Sequence, residues 1–84
     1  MDDAHEEMLQ AIEVEIKRHV AANQGAADSA EGIRAWWLPP QLRAAPLEHV
    51  IAALERLARD GVVEKRAVGV GFVYAAARPG PTRH

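Results

Sequence analysis

The alternation of apolar and polar positions divides the chain into three helical stretches followed by two short β-runs. Between Ala4 and Ala22, Leu9, Ile12, Ile16 and Val20 recur at i, i+3, i+7 and i+11, which lines them on one stripe of a helix. Met8 widens that stripe to one side, and Val14 falls toward the opposite face. Asp2 and Asp3 suit the positive end of the helix dipole, and Lys17, Arg18 and His19 suit the negative end. Asn23-Gln24-Gly25 closes the helix, and Ala26-Ala27 leads into the next. Asp28, with Glu31 three residues on, resembles a capping box that opens a second helix over Ser29 to Leu38, stopped by Pro39-Pro40. Ala30, Ile33 and Trp37 share one face of it. Trp36 sits beside that face and Leu38 lies well round the helix, so one tryptophan is expected in the core and the other only partly covered.

Gln41 to Ala45 reads as a turn or one further helical turn, and Pro46 suits the first position of a third helix, where its missing N–H is no loss. Leu47, Val50, Ile51, Leu54, Leu57 and Ala58 form its apolar stripe, and Glu55 and Arg59 make an i,i+4 pair. Gly61 falls where a left-handed residue commonly ends a helix. Val62 to Val68 and Val70 to Ala75 are β-rich runs split at Gly69, and Gly69 and Gly71 allow a tight or bulged hairpin turn. Arg78 to His84 carries two prolines and no pattern and reads as a disordered tail. The expected organisation is one domain over residues 1–76 and a tail over 77–84.

Composition narrows the functions available. A chain of 84 residues has little room for both a core and a deep catalytic cleft. With 49% hydrophobic and 26% charged residues it has the make-up of a globular domain. No apolar run approaches the roughly 20 residues that span a bilayer. The start MDDAHEE is acidic where a signal peptide is basic, so a cytoplasmic location is expected. Without cysteine there are no disulfides and no thiolate metal ligands. The net charge of −2 hides an asymmetry: residues 1–31 hold eight acids against Lys17 and Arg18, and residues 32–84 hold four acids against eight basic side chains. A polyanion would be drawn to the later part of the chain.

Catalysis is not expected. Ser29 is the only serine and sits at a helix start, and His5, His19, His49 and His84 are scattered without metal-ligand spacing. Gly69-Val-Gly71 lacks the lysine and following helix of a phosphate loop. Neither a cofactor nor a metal site is expected.

The stretch Ala52-Ala-Leu-Glu-Arg-Leu-Ala-Arg-Asp-Gly-Val-Val-Glu-Lys-Arg66, followed by Gly69-Val-Gly-Phe-Val73, resembles the C-terminal part of a winged helix-turn-helix domain, most of all that of GntR-type DNA-binding regulators. The match runs from Pro46 to Val73. It implies an α+β, mainly α fold, a winged helix of three helices followed by a two-stranded β-hairpin wing. It also implies that Glu48, His49, Ala52, Ala53 and Arg56 occupy the outward face of a recognition helix, with Arg43 just before it and Lys65 and Arg66 on the first wing strand. The chain departs from the pattern in its Ala44-Ala45-Pro46 helix start, its Trp-Trp pair and its wing tip Val68-Gly69-Val70, which offers no arginine to a minor groove.

Two functional readings follow. In the first, the chain is a small DNA-binding protein, a transcriptional regulator acting as a homodimer on double-stranded DNA. His49 and Arg56 then face the groove, and Arg43, Arg59, Lys65 and Arg66 hold phosphates. In the second, the same fold is an adaptor that binds another protein through Trp36, Leu38, Val68 and Val70, since exposed aromatic and apolar side chains favour interfaces.

Overall fold

The structure of the chain, a computed structural model, describes residues 3–77. The tail expected over 77–84 lies outside the described residues apart from Ala77, and the expected dipole contribution of Asp2 lies outside them too. The elements run α1 (Asp3–Ala22), β1 (Ala27–Asp28), α2 (Ala30–Gly32) continuing into a π-helical turn (Ile33–Trp37), a 3-10 turn (Pro40–Leu42), α3 (Leu47–Arg59), β2 (Val63–Val68) and β3 (Gly71–Ala76). The fold is α+β and mainly α, with three helical segments and a closing antiparallel hairpin. The apolar pattern does not reveal β1, which consists of two residues. It pairs antiparallel with β3, Ala27 opposite Ala75 and Asp28 opposite Tyr74, and makes a three-stranded sheet of order β1-β3-β2. So short a strand carries too few residues to show a period of two.

The core is aliphatic with two aromatic side chains at its borders. Ile12 and Ile16 of α1, Ile33, and Val50, Leu54 and Leu57 of α3 are inaccessible to water. Leu9, Val20, Trp37, Val63 and Tyr74 close round them. Each such aliphatic side chain contributes about 1.5–3 kcal/mol by leaving water. Trp37 lies inside and stacks on His19, ring centroids 4.4 Å apart, while Trp36 points out.

Local chemistry sets the ends of the elements. Ser29, not Asp28, caps α2: its Oγ accepts the Gly32 N–H at 3.1 Å, and the Asp28 carboxylate accepts the Ser29 N–H at 2.8 Å. Asp28 is held in the sheet by its pairing with Tyr74, which shifts the cap by one residue. A Cβ on Gly32 would run into that Asp28 carboxylate. At the end of α3, Gly61 has φ +79°, with its N–H on the Ala58 carbonyl and the Val62 N–H on the Leu57 carbonyl. This is a Schellman ending, and it turns the chain directly into β2. Gly69, φ +59°, is the first central residue of the two-residue turn closing the hairpin, the arrangement of a type II′ turn.

Two burial expectations are corrected. Leu38 is 1% exposed instead of lying on the surface. The helix widens into a π turn over Ile33–Trp37 and Leu38 leaves it in extended conformation (φ −91°, ψ 146°), which swings its side chain back into the core. Ile51 is exposed, and Ala53, expected outward, is fully buried where α3 meets α1. A small residue lets two helices approach closely, so alanine takes the inner position that hydrophobicity alone assigns to isoleucine.

Candidate interaction surface

The turning of α3 decides which side chains reach solvent. Its buried stripe runs through Val50, Ala53, Leu54 and Leu57, so Glu48, Ile51, Ala52, Glu55 and Arg59 form the opposite side. His49 and Arg56 lie on the flank that meets α1, which corrects their expected place on an outward face. Arg56 grips α1 with its guanidinium. Nη1 and Nη2 donate to the two carboxylate oxygens of Glu6 at 3.1 and 2.7 Å, and Nε lies 2.7 Å from Glu13 Oε2 as an ion pair without hydrogen-bond alignment. The hydrogen bonds from Arg56 hold the Glu6 carboxyl below its usual range, and those to Glu6 raise Arg56 in turn. The His49 ring stands edge-on to His5 with centroids 4.5 Å apart, and its Nδ1 is buried without a hydrogen-bond partner.

The hairpin cations are engaged in the same way. Lys65 Nζ donates to Glu55 Oε2 at 3.0 Å and lies 4.5 Å from the centre of the Phe72 ring. The same carboxylate oxygen accepts from the Tyr74 hydroxyl at 3.3 Å. The hydrogen bond from Lys65 lowers the Glu55 pKa, the hydrogen bond to Glu55 raises that of Lys65, and burial raises that of Tyr74. Arg66 Nη2 pairs with Glu64 on its own strand at 3.2 Å. Arg43 is exposed but ties Nε to the Leu38 carbonyl at 3.0 Å, bracing the chain before α3, and Arg34 reaches the Ala45 carbonyl at 3.3 Å from the other side. Arg59 stands exposed in the last turn of α3. The structure therefore places Arg43, Arg59, Lys65 and Arg66 at the surface but does not gather them with His49 and Arg56 into one basic face.

Large apolar side chains take the exposed positions. Trp36 is 75% exposed, and Val68, Val70 and Phe72 crowd the far end of the hairpin, with Val70 fully exposed at its tip. Phe72 was not singled out among the candidate residues of the sequence. The period of two carries the signal: Tyr74 and Phe72 share a face of β3, and Tyr74 is the one over the helices. Val14 on α1 is half-exposed, as its position off the stripe predicts.

A surface pocket of about 210 Å³ opens between Glu15, Arg18, His19, Ala22, Asn23 and Trp37, below the usual size of a small-molecule site. Among the described residues no group of three His, Cys, Asp or Glu side chains could hold a metal ion. Nor is any helix among them long and apolar enough to cross a membrane. No family model, curated protein or solved structure matches the chain.

Proposed function

We propose that the chain is a winged-helix domain that works as a non-catalytic protein–protein interaction module, using the far end of its hairpin and Trp36, instead of reading duplex DNA. The order α1-β1-α2-α3-β2-β3, with α3 turning straight into the hairpin, supports the winged-helix reading. One contrast carries the functional reading. Three of the cations expected at a DNA contact are matched to carboxylates of the same chain: Arg56 to Glu6 and Glu13, Lys65 to Glu55, Arg66 to Glu64. Meanwhile Trp36, Val68, Val70 and Phe72 are left in water.

Phosphate contacts dominate affinity for DNA, and at Arg56, Lys65 and Arg66 each one would require an existing pair to be given up. The solvent side of α3 adds Glu48 and Glu55, both repelled by phosphate. Exposed aromatic and aliphatic side chains are what a protein interface buries at its centre. The proposal takes the cytoplasm as the setting, in line with a chain that has no cysteine.

The test is affinity capture with the intact chain against Trp36→Ser and Phe72→Ser, compared by quantitative mass spectrometry. A protein held by the native chain and lost with one of the variants supports the reading. Identical capture by all three removes this surface from the proposal.

A further inference from the structure

The exposed edge of β2 carries a pattern that complements itself. In the sheet order β1-β3-β2 this strand is outermost, and among the described residues no strand pairs with its outer side. A free edge presents unpaired backbone N–H and C=O groups and is a template for another strand. The residues from 62 to 68 read Val-Val-Glu-Lys-Arg-Ala-Val, with apolar positions at both ends, opposite charges on either side of the centre, and Lys65 in the middle. From Lys65 to Val68 every residue is exposed.

We propose that the β2 edge binds the β2 edge of a second copy of this chain, antiparallel, about a two-fold axis through Lys65. In that register Val62 faces Val68 of the second copy, Val63 faces Ala67, and Glu64 faces Arg66. Directly opposite residues of antiparallel strands stand on the same face. Glu64 and Arg66 already share a face and pair with each other at 3.2 Å. Bringing the second strand alongside turns two intrachain pairs into a closed square of alternating charge. The one like-charged pair in the register is Lys65 with Lys65 on the axis. It stands on the other face, where the Glu55 carboxylate of the same chain neutralises each ammonium at 3.0 Å. The neighbouring registers that keep the backbone hydrogen bonds set Glu64 against Glu64 or Arg66 against Arg66, so charge and apolarity agree only in the pairing centred on Lys65. Val68, exposed in the single chain, is covered at each end.

This inference goes beyond the reading above and is separable from it, because the edge shares Val68 with that surface but involves neither Trp36 nor Val70 nor Phe72. It is tested by sedimentation equilibrium of the untagged chain from about 10 µM to about 1 mM, a range that spans weak dimers, with far-UV circular dichroism to confirm that each variant is folded. The native chain is expected to dimerise within that range. Glu64→Arg or Arg66→Glu alone sets like charges opposite each other at two symmetry-related places, which weakens the dimer on the order of tenfold. The double variant Glu64→Arg/Arg66→Glu restores the pairing and returns the dissociation constant to within about twofold of native. A monomer up to about 1 mM overturns the proposal. So does a dimer indifferent to the single reversals, or one that both weaken and the double variant fails to restore.

Discussion

The body of the molecule and the far end of its hairpin are built on opposite principles. In the body, where α1, α3 and the foot of the sheet meet, the aliphatic side chains are sealed from water and the charges at the border are matched. At the hairpin end, Val68, Val70 and Phe72 stand in solvent on a two-stranded ribbon that β1 does not reach, since β1 pairs only with Tyr74 and Ala75. The body buries its hydrophobic residues and uses its arginine as a clamp. The ribbon leaves its hydrophobic residues for something else to bury. A domain of this size has little apolar area to spare, so exposed valines and a phenylalanine at one end concentrate attention there.

The contrast can be broken most severely from the body side. Leu54→Ala opens a cavity in the middle of α3 and is expected to destabilise the fold by about 2–5 kcal/mol. That lowers the melting temperature by well over about 8 °C in a domain this small, read by thermal circular dichroism. A change of only a degree or two at Leu54 would mean that the body is not the rigid half.

A smaller effect comes from the ionic border. Glu6 and Glu55 have pKa values lowered from the ordinary 4.5, Glu6 chiefly by the hydrogen bonds from Arg56 and Glu55 by that from Lys65. Lowered carboxylates contribute stability above their unfolded pKa, and that contribution is lost as pH falls through the folded one. The melting temperature should therefore decline below about pH 4.5. Glu6→Gln should lower it slightly at neutral pH and flatten the acid decline, because both partners are partly open to solvent. An unchanged acid slope in Glu6→Gln would show that the Arg56 clamp is not formed in solution.

The least effect belongs to the ribbon. Val70→Ser removes an apolar side chain from the tip of the turn and should leave stability within about 0.5 kcal/mol of native. A loss of more than about 1 kcal/mol there would erase the distinction between the two regions.

Much of the body was legible from periodicity. Leu9, Ile12, Ile16 and Val20 on α1 and Val50, Leu54 and Leu57 on α3 are buried as their spacing predicts, and the glycine stop at Gly61 has the left-handed backbone expected of it. The division of labour between Trp37 and Trp36 also follows the helical face. What escaped depended on how elements meet. Helix spacing cannot see the π turn that drives Leu38 inward, nor the close crossing that prefers Ala53 to Ile51. The resemblance placed Arg56 on an outward helix face and Lys65 on a strand as DNA contacts, and sequence spacing could not show the carboxylates that answer them, 50 and 10 residues away. The exposed hairpin end was half visible: Val68 and Val70 were named, and Phe72 needed the register with Ala67 and the position of Tyr74 to stand out.

The most direct test of the account is binding of the untagged chain to random-sequence duplex DNA across a salt series from about 50 to about 200 mM, where phosphate-driven affinity changes most steeply. With Arg56, Lys65 and Arg66 committed to carboxylates of the same chain, the protein should show no binding tighter than about 10⁻⁴ M, the weak end of non-specific affinity, even at the lowest salt. Micromolar affinity that falls steeply with added salt would mean that Lys65, Arg66 and Arg56 leave their partners for phosphate, and it would contradict the protein-contact reading.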